Sequence, residues 1–320
     1  MNYHHITQEE RYLIWSHKKT GILPIEIADL LGRSKSSIYR ELSRNTGGKG
    51  YRPKQADELA LERHKSKPKA IKMTSEAIAI TNSKISLDWS PEQVSGRAFQ
   101  DQDYDISHET IYQHILTDKA MGGDLYTHLR CQKKNKKRYG TKADDKRGQI
   151  KDKTSIDERP KMVEDKTRKG DWEGDLVIGA NHKRALVTLV DRKTKKVKIA
   201  IVDSKHAKPI SEAVVRLLEN ETKHTITFDN GKEFAEHKEM KKKTGAMIYF
   251  AHPYSSWERG LNENSNGLIR QYFPKGSSFE HITDADVKRV EDILNNRPRK
   301  TLAYCTPNEI YEGTRRIRFE

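Results

Sequence analysis

The sequence predicts an α/β domain, a mixed five-stranded sheet flanked by helices, preceded by two all-α modules. Three observations carry this: two clusters of helix-cap signals in the first 125 residues, a basic segment with little to bury, and alternating strand and helix periods from about residue 161. The expected boundaries are 1–60 and 61–125 for the helical modules, 126–160 for a basic linker and 161–320 for the α/β domain.

In the first module, Thr7 and Glu10 stand at capping-box spacing and open a helix that runs to about Lys19. A second helix is expected to place Ile27, Leu30 and Leu31 on one face. Gly32-Arg33 then turns the chain, and Ser34 caps a third helix with Ile38 and Leu42 inward. This is a helix-turn-helix pattern. Its third helix offers Lys35, Ser36, Ser37, Tyr39 and Arg40 outward, a set that can bond phosphates and base edges in a major groove. The plainer alternative is a small bundle with a solvated polar face.

The second module is announced by Trp89-Ser90-Pro91-Glu92-Gln93, where Ser90 caps, Pro91 takes the first helical position and Gln93 closes the box. Ser107 caps a further helix, with Ile106 and Ile111 at staple spacing and Ile115 one turn on, so a second helix-turn-helix is expected. His108 and His114 are read as exposed or phosphate-facing, since no third soft ligand stands near them. The run from Cys131 to Lys142 has no acidic side chain and reads as a mobile arm that tracks phosphates.

From Asp175 the pattern becomes strand-like. Strands are expected from Asp175, over Leu186 to Val190 and over Val197 to Val202, the last two joined through Asp191-Arg192-Lys193-Thr194. A helix over about 209–220 follows, then a strand from Thr225 to Phe228, a Lys/Glu-rich helix over about 232–243 and a strand from Ala246 to Ala251. Three antiparallel strands followed by helix-connected ones is the layout of the ribonuclease H-like fold.

Charge points to the partner. Lys+Arg at 61 against Asp+Glu at 46 leaves +15, which favours a polyanion through counterion release. No apolar run of membrane-spanning length and no signal-peptide pattern is present, so a cytoplasmic, nucleoid-associated protein with no membrane partner is expected. Cys131 and Cys305 lie far apart without zinc-type spacing and read as two reduced thiols.

Three acids stand out. Asp175 enters an apolar strand, whereas its neighbours Asp171 and Glu173 precede it. Asp229 ends a strand before Asn230-Gly231, and Glu263 rides a helix five residues after Glu258. Carboxylates drawn from two strands and a helix suit hard divalent cations. Two Mg²⁺ or Mn²⁺ ions about 4 Å apart could activate a water or hydroxyl and help the departing oxygen of a phosphodiester. Arg259 and Arg270, on the same helical face, and Lys275 could hold a DNA backbone nearby. Trp172 and Trp257 could stack on bases, although burial is the commoner fate of tryptophan.

These strings together resemble DDE-type transposases of the insertion sequence 30 family, over nearly the whole length. The resemblance rests on Ile38 to Leu42, Trp89 to Gln93, Ile106 to Tyr112, Gly170 to Gly179, Phe228 to Phe234, Trp257 to Lys275, Asn296 to Lys300 and Thr306 to Glu309. It implies an enzyme that binds the terminal inverted repeats of its element, frees a 3′-hydroxyl and directs it at another phosphodiester, without a covalent protein–DNA intermediate. It places the catalytic triad and metal ligands at Asp175, Asp229 and Glu263, and makes the amino-terminal helices end-recognition elements. Arg270 stands where many related enzymes carry lysine. Double-stranded DNA, both element ends and target, is the expected partner, with a homodimer or higher oligomer pairing the ends. Two rival readings are a helix-turn-helix transcription regulator with an inactive nuclease-like domain, and a recombinase using Tyr304 or Tyr311 as nucleophile.

Overall fold

A computed structural model of the chain describes residues 4–66, 73–102, 105–130, 150, 152–180, 183–253 and 255–315. The basic run from Cys131 to Lys142 lies outside the described residues. The chain divides into two compact units, Met1–Ile71 and Lys72–Glu320.

The first unit holds α1 (Gln8–Lys19), α2 (Pro24–Leu30), α3 (Lys35–Asn45), a short hairpin of β1 (Thr46–Gly47) and β2 (Gly50–Tyr51), and α4 (Pro53–Ser66). Its caps follow the sequence: the Thr7 backbone N–H donates to Glu10 at 2.7 Å and the Glu10 N–H returns to Thr7 Oγ1, while Ser34 Oγ accepts from the Ser37 N–H. Ile14, Ile27, Ala28, Ile38 and Ala56 form the core. Leu30, expected inward, is 61% exposed. The buried stripe of so short a helix runs through Ile27, Ala28 and Leu31, and Leu30 falls well to one side of it. A buried charge network ties the elements together: Arg11 donates to Glu41 at 2.8 Å and to Asp57 at 2.7 Å, and Tyr51 donates to Glu41.

The second unit opens with α5 (Ser75–Ile85), α6 (Pro91–Gln102) and α7 (His108–Ala120), packed around Ile85, Trp89, Val94, Ile106, Ile111 and Ile115. Ser90 and Gln93 exchange both capping hydrogen bonds, and Ser107 accepts from the Thr110 N–H. His114 departs from its expected outward role: it is half-buried, with Nε2 2.8 Å from Asn82 Oδ1.

After α8 (Lys161–Glu164) come β3 (Asp171–Ile178), β4 (Ala185–Asp191), β5 (Val197–Val202), α9 (Ala207–Leu218), β6 (Thr225–Phe228), α10 (His237–Thr244), β7 (Met247–Phe250), α11 (Gly260–Tyr272), α12 (Asp284–Asn295) and α13 (Pro307–Glu312). The sheet order is β5-β4-β3-β6-β7, antiparallel among β3, β4 and β5 and parallel across β3, β6 and β7. This mixed sheet with flanking helices fits the expected ribonuclease H-like layout. Alternation along β4 feeds two cores, since Ala185, Val187 and Leu189 pack with Ile210, Val214 and Leu218 of α9, whereas Leu186 and Val190 pack with Leu268 and Ile269 of α11 and Val290 and Leu294 of α12. Helix α12 also shields edge strand β5: the Val197 N–H donates to Asn295 at 2.7 Å and the Ile199 N–H to Glu291 at 2.8 Å.

Two expected boundaries shift by more than two residues. The first strand begins at Asp171, four residues before Asp175, because Arg168 and Arg192 neutralise Asp171 and Glu173 and so let an acidic sequence enter the sheet. The helix expected from Lys232 starts as a 3₁₀ turn, Lys232–Phe234, and α10 begins only at His237, because Phe234 turns in to stack on Phe228 with ring centroids 4.2 Å apart.

The α5–α7 layer is clamped to the carboxyl-terminal segments. Arg97 donates to both oxygens of Glu309 at 2.9 and 2.6 Å, Gln93 to the Pro298 carbonyl at 2.8 Å, and Tyr272 at the end of α11 to Asp88 at 2.7 Å. Among the described residues no helix is long and apolar enough to cross a membrane.

Gly174 lets β3 pass directly over an aromatic ring, since a Cβ there would lie 2.2 Å from Phe228. Gly174→Ala should therefore cost about 1–3 kcal/mol of stability through overpacking, read by urea denaturation. An unchanged midpoint would show that the ring yields freely.

Candidate active site

The parallel pairing of β3 with β6 builds the site. Glu173 pairs with Thr227, and two residues further along each chain stands an aspartate, Asp175 and Asp229, so the strand register itself brings them level. Asp171, Glu173, Asp175 and Val177 alternate onto the face covered by α11, where Glu173 accepts from the Asn262 N–H and Asp175 Oδ2 accepts from Asn266 Nδ2 at 2.7 Å. Asp175 Oδ1 also accepts from the Leu176 N–H at 2.9 Å. Asn266 is itself oriented by Thr188, whose hydroxyl donates to its Oδ1 at 3.2 Å. Asp229 makes an Asx turn, its Oδ1 accepting from the Gly231 N–H at 2.9 Å, and Lys153 reaches Asn230 at 2.6 Å. Burial pushes the Asp175 carboxyl above its ordinary range and the nearby Asp229 adds to this, against the opposing pull of Arg259.

Arg259 stands between the two aspartates. Its Nη1 lies 3.6 Å from Asp175 and its Nη2 3.4 Å from Asp229, with a further contact from Nη1 to the Gly174 carbonyl at 3.4 Å. A residue expected on a phosphate thus faces two carboxylates. Glu263 is exposed on the first turn of α11, three residues before Asn266. Among the described residues no three His, Cys, Asp or Glu side chains are grouped closely enough to hold a metal ion. Asp175 and Asp229 thus stand together around Arg259, while Glu263 lies one turn before Asn266, the residue that bonds Asp175. An all-oxygen pair that already accommodates a guanidinium cation fits a hard divalent ion.

The neighbouring acids are structural. Arg168 donates to both oxygens of Asp171 at 3.0 and 3.1 Å, and Arg192 pairs with Glu173, both of these partners being buried. Burial still pushes the Glu173 carboxyl upward. Arg270 donates to the Ile178 carbonyl from Nη2 at 2.9 Å and lies over the Phe279 ring. Lys275 is exposed. Trp172 is buried, its indole N–H donating to the Thr222 carbonyl, while Trp257 is 76% exposed beside Arg259. Tyr311 is buried and accepts from the Thr222 N–H, and Tyr304 is half-buried against Gly96, so neither is presented as a nucleophile.

In the first unit Lys35, Ser36, Tyr39 and Arg40 are exposed on α3, and Ser37 is half-buried with its hydroxyl 2.8 Å from that of Ser34. His108 is exposed at the start of α7. Sequence reasoning missed Asn266 and the bridging role of Arg259. The i, i+3 spacing of Glu263 and Asn266 on one helix was the available signal for the first.

The segment leading into α11 is pinned by His252. Its Nδ1 lies 2.7 Å from Glu258, its Nε2 3.0 Å from Asp157, and its backbone N–H donates to Glu258 at 2.8 Å. The hydrogen bond to Glu258, and next that to Asp157, raise the histidine above its ordinary value. A raised histidine favours the folded clamp at low pH, and that contribution is lost as pH rises through the raised value. Hydrogen exchange of the His252 and Glu258 amides, corrected for intrinsic rates, should therefore show protection at pH 6 that falls by pH 9, and His252→Gln should remove this dependence. Equal protection of the unaltered protein at both pH values would refute the clamp.

No family model matches the chain. Curated relatives do. The transposase for insertion sequence element IS4351 of Bacteroides fragilis is 42% identical over 316 residues, covering 96% of this chain and 95% of that protein. The transposase InsI for insertion sequence element IS30A of Escherichia coli K12 is 36% identical, covering 96% and 83% respectively. Among solved structures, the catalytic core domain of BIV integrase aligns at 20% identity with a TM-score of 0.37, over 45% of this chain and 93% of that one. Similarity sustained along nearly the whole chain means that it belongs to the insertion sequence 30 family of transposases, polynucleotidyl transferases of DNA transposition.

Proposed function

We propose that Asp175, Asp229 and Glu263 form the catalytic triad of this transposase and hold Mg²⁺ or Mn²⁺, two ions per site, for cleavage and joining of DNA at the terminal inverted repeats of its element. The observation that carries this is the level placement of Asp175 on β3 and Asp229 just past the end of its parallel neighbour β6, with the cation of Arg259 between them. When bound, the metal would lower the pKa of the attacking water or 3′-hydroxyl and stabilise the departing oxygen. The protein's own part is positional. Asn266 and the Leu176 N–H orient Asp175, the Asx turn orients Asp229, and Glu263 on the Asn266 face of α11 supplies the third carboxylate.

DNA binding falls to the basic surfaces. Residues 1–60 and 61–125 are read as helix-turn-helix modules, 126–160 as the linker and 161–320 as the catalytic domain. Lys35, Ser36, Ser37, Tyr39 and Arg40 of α3 are the candidate contacts of the first module, and Arg40 and Arg44 line one concave face with Arg63 and His64 of α4. His108 opens the candidate recognition helix of the second module. Lys275 and Arg270 lie toward the carboxyl end of α11, where a backbone leaving the site could be held. Joining two ends calls for a homodimer or higher oligomer on DNA, in a nucleoid setting.

Labelled element ends incubated with and without Mg²⁺ test the assignment. Asp175→Ala should bind the ends as the unaltered protein does and lose strand cleavage by roughly 10³-fold or more. Equal cleavage by the two proteins would reject the triad, and protein-linked DNA on a denaturing gel would point to a covalent nucleophile instead.

A further inference from the structure

Strand β3 carries acids at three alternate positions, and each meets an arginine: Asp171 with Arg168, Glu173 with Arg192, Asp175 with Arg259. The first two pairs are built to stay. Asp171 is wholly buried and takes two hydrogen bonds of 3.0 and 3.1 Å, and the Arg192–Glu173 side chains are 3% and 2% exposed. The third differs in each respect. Arg259 approaches at 3.4 to 3.6 Å, beyond the usual range for a charge-assisted hydrogen bond, it divides itself between two carboxylates, and these remain 24% and 37% exposed. Its Nε is buried without a partner, so the guanidinium is not seated in a fork made for it.

We infer that Arg259 is a resident counter-cation, occupying the metal seat between Asp175 and Asp229 in the metal-free protein and displaced when a divalent cation binds. This rests on the reading of those two aspartates as metal ligands. Two carboxylates held level by strand register repel one another, and burial of Asp175 adds to the cost. A monovalent cation on a side chain relieves that repulsion without leaving the protein. Divalent metal, bonding oxygen at about 2.1 Å, outcompetes a guanidinium held more than an ångström further away. Arg259 therefore lowers apparent metal affinity while it protects the empty site, and once displaced its donors are available to a DNA phosphate.

Mn²⁺ titration of the full chain by calorimetry, without DNA, tests this. Arg259→Gln should bind Mn²⁺ about tenfold more tightly than the unaltered protein, the scale of two partly exposed ion pairs no longer competing. Without metal the same variant should melt at a lower temperature, and saturating Mn²⁺ should restore much of the loss. Arg259→Lys, which retains the charge and is less apt to disturb folding, should stay close to the unaltered affinity. Unchanged or weaker Mn²⁺ binding by Arg259→Gln, or equal tightening by Arg259→Lys, would overturn the inference. Asp175→Asn and Asp229→Asn separate the two failures. If they abolish Mn²⁺ binding while Arg259→Gln leaves it unchanged, the ligands stand and the counter-cation role falls; if they bind Mn²⁺ normally, the ligand assignment falls too.

Discussion

An acid inside a sheet needs a counter-charge, and β3 meets that requirement three times along one face. The rest of the candidate site is arranged around this condition. Arg168 and Arg192 neutralise the buried Asp171 and Glu173, which lets the strand start early enough to pair in parallel with β6. That pairing then carries Asp175 to the level of Asp229. Glu173 does a second task, accepting from the Asn262 N–H and so fixing the start of α11 over the strand. The ion pairs therefore set register and helix placement as well as charge balance.

Around this centre the candidate site is tied to the neighbouring helices. Helix α11 spans from the acids to Tyr272, and Tyr272 bonds Asp88 in the α5–α7 layer, so that layer is coupled to the helix bearing Glu263 and Asn266. Arg97 with Glu309, and Gln93 with the Pro298 carbonyl, fasten the same layer to the carboxyl-terminal segments. The sequence strings Asn296 to Lys300 and Thr306 to Glu309 thus have a structural reason: they form the seat on which α6 docks. His252 adds an adjustable contact at the opposite end of α11, where the chain enters the helix.

Much of this was legible in advance. The caps at Thr7, Ser34, Ser90 and Ser107 depend on atoms within three residues, so local spacing suffices to read them. The strand and helix order of the α/β domain followed from period, and the acids stood out because a carboxylate beside apolar strand residues is costly. Less legible was Leu30, since a short amphipathic stripe can be drawn through several residues until packing chooses among them.

By itself the sequence determined most local elements, the net positive charge and the family, because each is encoded in neighbouring residues or in strings shared with relatives. Only the tertiary structure decided which acids of β3 are buried against arginines, that Asp175 and Asp229 stand level, and that Arg259 lies between those two. Those outcomes depend on partners many residues away, brought near by strand register and helix packing, and no local pattern records such distances.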